Sequence, residues 1–295
     1  MPLKRYSPDQ TFLSWLLLIL LSFIWGSSYI LIKKGLLAFS PVQLAGVRLG
    51  VSSLAFVPVY LSLHKKTDWK RWKSFLVVAL AGSGIPAFLF ALAQTQLNSS
   101  LTGILNALTP LTTFILGFLF FGLVFKWSKL LGVIIGFAGA FLLIWVGKES
   151  GAAGNIWYAV PVVLASVCYA LSANEVGFKL RDVNSLVISA ASFMLLLIPG
   201  WFLIFYTGVP TTVMTHPDGW ASLGFVCILA ISSTFIATIL FFRLIQMTGT
   251  VFSSFVSYIA PVVAAGWGIL DGESVTFSLL LGMALILAGV YVAKK

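Results

Sequence analysis

Few side chains in this sequence could do chemistry, and where they stand is informative. Arg48 places a charge inside an otherwise apolar run. A guanidinium there could grip a carboxylate through paired hydrogen bonds. The competing reading is that it snorkels outward or bonds backbone carbonyls. Glu175 could carry a coupling proton or hold an amine. Alternatively it pairs with Lys179, one helical turn on. Asn106 stands one turn before Pro110, and Ser257 and Tyr258 stand just before Pro261. Proline lacks an N–H, so each leaves a carbonyl one turn back without its helical donor. Pro86, in Gly82-Ser83-Gly84-Ile85-Pro86, creates the same weakness, and Ser232-Ser233-Thr234 occupies the matching place further along. Pro86, Pro110 and Pro261 are the expected hinges. Trp25, Ser27, Ser28, Arg48, Ser83, Asn106, Tyr169, Asn174, Thr234 and Tyr258 are expected to face a cavity. A serine or threonine there can instead bond its own helix backbone, and Trp25 can equally pack between helices. Hydroxyls and amides between aromatic walls suit a small amphipathic solute of low net charge.

Other chemistries find no support. Cys168 and Cys227 sit in apolar runs with no metal-binding spacing. His64 and His216 lie in breaks without partner ligands. There is no glycine-rich loop followed by Lys and Ser/Thr, no zinc-protease motif and no nucleophile elbow. No cofactor or metal is expected. An intramembrane enzyme would need a nucleophile with a base, or paired acids, at membrane depth. Neither is present, so the chain reads as a non-enzyme.

The elements that must position these residues follow from composition. Of 295 residues, 60% are hydrophobic and 9% charged, with 18 basic against 8 acidic and a net charge of +10. A soluble domain carries about 25% charged residues, so a soluble enzyme, a nucleic-acid binder and a disulfide scaffold are excluded. Apolar runs and polar breaks give ten transmembrane segments near 12–34, 42–63, 74–95, 99–121, 128–147, 156–177, 185–206, 219–241, 251–271 and 275–292. The first is too long for a signal peptide and lacks a cleavage pattern. With the N-terminus in the cytoplasm, 14 of the 18 basic residues fall inside and 3 outside. That bias places both termini in the cytoplasm and requires an even number of spans.

The chain repeats. QTQLNSSLTGILNALTP, 94–110, aligns without gaps with IQMTGTVFSSFVSYIAP, 245–261. Leu131-Gly132 with Gly139 is echoed by Leu281-Gly282 with Gly289. The stretch around Trp25 can be laid, more weakly, over that around Tyr169. Residues 1–147 and 148–295 thus form two five-helix repeats. Five is odd, so the second enters the membrane inverted, which is the construction of carriers that alternate access to a midplane site. Glycines four apart, Gly46/Gly50 and Gly132/Gly136, permit close helix approach, either within one chain or in a homodimer.

The sequence resembles the EamA-type family of the drug/metabolite transporter superfamily. The resemblance rests on Trp25-Gly26, Pro41 with Arg48, Thr109-Pro110, Gly132 and Gly139, and then on Ala260-Pro261, Gly272-Glu273, Gly282 and Gly289. It covers nearly the whole chain. One departure stands out: the family's Gly-Glu pair is present at Gly272-Glu273, but the first half reads Gly122-Leu123. The resemblance implies ten helices around a central cavity and small-metabolite substrates, often exported amino acids or related compounds. The small multidrug-resistance relatives use a central membrane glutamate. This chain has no ionisable residue in the middle third of any span, which disfavours proton coupling by that route. The expected partners are a small solute and the lipid bilayer, with no nucleic acid. The expected location is a bacterial inner membrane, multi-pass. A non-transporting receptor or scaffold is the remaining alternative, and it would not need helices broken at symmetric positions.

Overall fold

A computed structural model describes residues 8–149, 156–270 and, beyond these, 281, 282, 284, 285, 288, 289 and 292. Its elements are helices, with no strand among the described residues. They are α1 (Pro8–Gly35), α2 (Pro41–Leu63), α3 (Trp69–Ala93), α4 in two pieces (Ser99–Asn106 and Thr109–Phe120) and α5 (Trp127–Glu149). The second half continues with α6 (Ala159–Lys179), α7 (Ser185–Tyr206), a short helix Val209–Thr215, α8 (Gly219–Thr248) and α9 in two pieces (Thr250–Ser254 and Val256–Leu270). The expected tenth span, with Gly272-Glu273, lies largely outside the described residues.

Helix ends are set by local chemistry. Ser40 caps α2 through a capping box: its hydroxyl accepts from Gln43 N, and the Gln43 side chain accepts from Ser40 N. Asn184 caps α7 by accepting from Leu186 N at 2.9 Å. Two expectations differ from what is observed. The eighth span was expected to end near 241 but runs to Thr248, because nothing breaks the helix until Gly249, whose φ is +88°. The helix Val209–Thr215 was not anticipated; a left-handed Gly208 starts it (φ +70°) and Pro210 fits its first turn.

The outer surface is apolar. On α1, Phe12, Leu16, Ile19 and Phe23 form an exposed stripe at helical spacing, and on α7 Ile198, Phe202 and Phe205 do the same. Such stripes belong against lipid. Exposed Trp69, Trp72, Trp127, Trp157 and Trp220 stand at helix starts, where amphipathic rings mark a membrane interface.

The halves interlock. α2 packs along α7, α1 against α8 and α9, and α6 against both α3 and α4. The glycine pairs are used inside the chain. A Cβ on Gly200 would lie 2.8 Å from Gly50 N, and one on Gly289 would lie 2.5 Å from Gly136 N and 2.6 Å from Gly132 O. The stripes that raised a homodimer in the sequence are therefore occupied by intramolecular contacts.

Three helices contain π-helical turns: Leu80–Gly84 in α3, Glu175–Lys179 in α6 and Leu229–Ile236 in α8. Those of α3 and α8 fall at matching places in the two halves. Wide turns free backbone carbonyls and re-aim side chains, which is why they recur at functional sites.

Candidate functional site

The breaks in α3, α4, α8 and α9 surround a narrow cavity of about 50 Å³. Its wall takes Trp25, Ser28, Tyr29 and Ile32 from α1, Arg48 from α2, and Gly82 and Phe90 from α3. It also takes Asn106 and Thr109 from α4, Tyr169 and Ser172 from α6, Thr238, Phe241 and Phe242 from α8, and Ser257 from α9. Pro86, Pro110 and Pro261 each stand four residues after a wall residue: Gly82, Asn106 and Ser257. The carbonyls freed by proline thus belong to residues on the wall itself.

Neutral polar groups order one side of the wall. The Asn106 amide donates to the Tyr29 hydroxyl at 3.1 Å, and Thr109 Oγ1 donates to Asn106 Oδ1 at 3.0 Å. The Tyr29 O–H proton remains available to a ligand. Trp25 Nε1 donates to Ser233 O at 2.9 Å, so the widened turn of α8 is held to α1 by its side chains. Phe90 stacks on Tyr169 at 5.7 Å, and Trp25 meets Phe241 edge-on at 4.8 Å.

Among the described residues Arg48 is the one charged group on the wall, and it is only 8% exposed. Its Nε donates to Thr234 Oγ1 at 2.8 Å, and its backbone carbonyl accepts from Ser52 Oγ. The guanidinium also faces the hydroxyl of Tyr169. Among the described residues no carboxylate lies within ion-pair distance of it. A cation held at membrane depth without a counter-charge is costly unless it faces water or ligand. Outward snorkelling is not what Arg48 does.

Of the residues expected at the cavity, Trp25, Ser28, Arg48, Asn106 and Tyr169 lie on its wall. Five are placed elsewhere, each for a visible reason. Ser27 bonds Phe23 O and accepts from Trp267 Nε1 at 2.8 Å, in an apolar crevice between α1, α8 and α9. Ser83 is half-buried one position beyond Gly82, which takes the wall. Asn174 donates to Thr113 O and Ala170 O, both at 3.0 Å, tying α6 to α4. Thr234 stands behind Arg48 and orients it. Tyr258 turns away, stacks on Phe255 and donates to Val133 O at 3.1 Å. Glu175 is also distant from the wall. It accepts from Ser74 Oγ at 2.6 Å and pairs with Lys179 at 3.1 Å, one helical turn on.

Sequence reasoning missed Tyr29, Thr109, Ser172, Thr238 and Ser257, and the aromatic residues of α3 and α8. Ser257 carried a signal: it is the repeat mate of Asn106. Tyr29 carried another, lying one turn from Trp25 on α1.

Comparison with known proteins agrees with this architecture. The EamA-like transporter family matches residues 13–145 and again 156–294. An uncharacterized transporter of Archaeoglobus fulgidus is 23% identical, over 95% of this chain and 98% of its own. The uncharacterized inner membrane transporter YedA of Escherichia coli K12 is 25% identical, over 90% and 86%. The S-adenosylmethionine/S-adenosylhomocysteine transporter of Chlamydia trachomatis is 24% identical, over 92% and 86%. A solved crystal structure superposes with a TM-score of 0.67 at 19% identity, covering 95% of this chain and 96% of the other, and so shares the fold. With both halves matched and full-length relatives that are transporters, the chain belongs to the EamA-like transporter family and is a multi-pass membrane transport protein.

Proposed function

We propose that the protein is a secondary carrier of the inner membrane, moving small metabolites such as amino acids or related compounds by alternating access, with net flow outward. In this reading 1–147 and 148–295 are inverted repeats, both termini are cytoplasmic, and each half rocks against the other around the cavity. The observation that carries it is the pairing of breaks. Asn106 and Ser257, repeat mates each four residues before a proline, share the wall of one polar, aromatic cavity. Gly82 on that wall is matched by the π-helical turn at Ser233, which Trp25 of the wall holds through its indole N–H. A receptor or scaffold has no use for that symmetry. The cavity volume of about 50 Å³ also bears on mechanism. Ligand pockets run to roughly 300 Å³ or more, so a metabolite can enter only if the halves move apart. Inner-membrane residence is supported by the apolar exterior and by similarity to the inner membrane transporter of E. coli.

The test is counterflow. Vesicles holding purified protein are preloaded with unlabelled amino acids and related metabolites, and entry of trace labelled solute is followed with and without a pH gradient. Overshoot of label above equilibrium is expected for at least one solute. Its absence across the panel, with folded protein, would remove the carrier reading.

A further inference from the structure

We propose that the substrate is a monoanion, an organic acid with one carboxylate and an apolar body, and that a zwitterionic amino acid is a poor ligand. The inference rests on the transport reading above and, within its small metabolites, favours the related acids over the amino acids themselves.

The argument is one of charge balance. Arg48 puts one positive charge on the cavity wall, nine-tenths buried, with Nε fixed on Thr234 and no carboxylate in reach among the described residues. A single carboxylate on the terminal nitrogens would make the loaded cavity neutral. Removing water from a neutral pair is far less costly than removing it from a lone charge. A phosphate monoester carries about −1.5 to −2 at neutral pH and would leave an excess of negative charge. A zwitterion would bring an ammonium that also needs a partner.

Among the described residues there is no partner for such an ammonium on the wall. It has eight acidic residues. Glu175 is committed to Ser74 and Lys179. Asp68, Asp182 and Asp218 lie in the breaks between helices. Asp9, Glu149, Asp271 and Glu273 stand by sequence at span ends. Among the described residues no carboxylate stands on the wall with Arg48. The remaining wall groups are hydroxyls, one amide and ring faces. Tyr29 and Tyr169 can donate to a carboxylate oxygen beside the guanidinium, which strengthens anion binding and does nothing for a cation. The apolar body then lies against Phe90, Phe241 and Ile32.

The test uses the full chain in liposomes and four matched pairs of labelled probes. These are pyruvate and alanine, 2-ketoisocaproate and leucine, phenylpyruvate and phenylalanine, and indole-3-acetate and tryptophan. Empty liposomes correct for leak of the protonated acids. At least one acid is expected to exchange tenfold or more faster than its amino-acid partner. Arg48→Lys should keep the preference with a higher KM, and Arg48→Met should abolish it. Thr234→Val, which removes the partner of Nε but keeps the charge, should retain the preference with a higher KM, and a thermal unfolding midpoint near that of the parent chain shows that the Met variant is folded. Faster exchange of amino acids than of acids would overturn the inference while leaving the carrier reading intact. Failure of all four acids would overturn it too. Only silence of the wider metabolite panel in the same vesicles would reach the carrier reading itself.

Discussion

At the scale of single residues, close helix approach depends on a few glycines, and this can be measured. Gly200 stands with its Cα against the backbone of Leu49 and Gly50, so an added methyl meets main chain at 2.8–3.1 Å and no flexible side chain can yield. Gly200→Ala should destabilise the bundle by about 1–3 kcal/mol, the usual cost of overpacking. Gly224→Ala is the control, since a Cβ there has open space around it. The midpoint of thermal unfolding in detergent should fall for the first variant and hold or rise slightly for the second. Residue-level inference from sequence was uneven for a physical reason. Hydropathy reports how deep a residue lies, and Asn106, Tyr169 and Arg48, expected at the cavity, stand on its wall. Rotation about the helix axis is another matter. A helix apolar on every face has no marked side, and Ser257 and Tyr258 point about 100° apart. One reaches the cavity and the other packs on α5.

At the scale of elements, the broken helices matter more than the intact ones. Most spans could be placed from apolar runs to within a few residues, and the breaks at Pro110 and Pro86 were visible as proline one turn past a polar or glycine residue. The π-helical turn of α8 was less visible, because that helix has no proline at the position matching Pro86; only the Ser232-Ser233-Thr234 cluster marked it. What holds this turn is clear in the structure. Trp25 bonds Ser233 O, Ser233 Oγ bonds Ile24 O, and Arg48 bonds Thr234. These links join the first half to the hinge of the second. Pro110→Ala and Pro261→Ala would return an N–H donor to the carbonyls of Asn106 and Ser257 and let both helices straighten. Each variant should fold, with its thermal midpoint close to that of the parent chain, while counterflow slows by tenfold or more. Normal exchange in both would show that the moving parts lie elsewhere.

At the scale of the molecule, the contacts that join the helices at the two ends of the bundle differ in kind. Toward the α1–α2 turn lie Phe39, Leu44, Leu97 and Val213 in one apolar cluster, crossed by neutral hydrogen bonds. Gln43 Nε2 donates to Thr207 O and Thr212 Oγ1, and Ser222 Oγ donates to Lys34 O. Toward the opposite end lie Phe75, Val78, Val176 and Leu180. Here the link is ionic. Arg71 at the start of α3 grips both oxygens of Asp182, beyond α6, at 2.7 and 2.8 Å, with Ser74–Glu175 beneath. Arg71 holds the Asp182 carboxyl below its ordinary value, first through the hydrogen bonds. A carboxylate depressed in the folded state contributes above its unfolded pKa, and the contribution is lost as pH falls through the lowered value. Both side chains are substantially exposed, so solvent screens the pair and its effect on global stability is small. Its effect on gating need not be small, since it spans the two halves at their rim. Spin labels at Lys70→Cys and Arg181→Cys, with Cys168 and Cys227 replaced by alanine, would read the separation of α3 from the end of α6. The distance distribution should widen as pH falls through the lowered value of Asp182. Asp182→Asn should widen it at neutral pH, and Gln43→Leu at the other end should leave it unchanged. An Asp182→Asn distribution identical to that of the parent chain would mean that apolar packing alone closes this end.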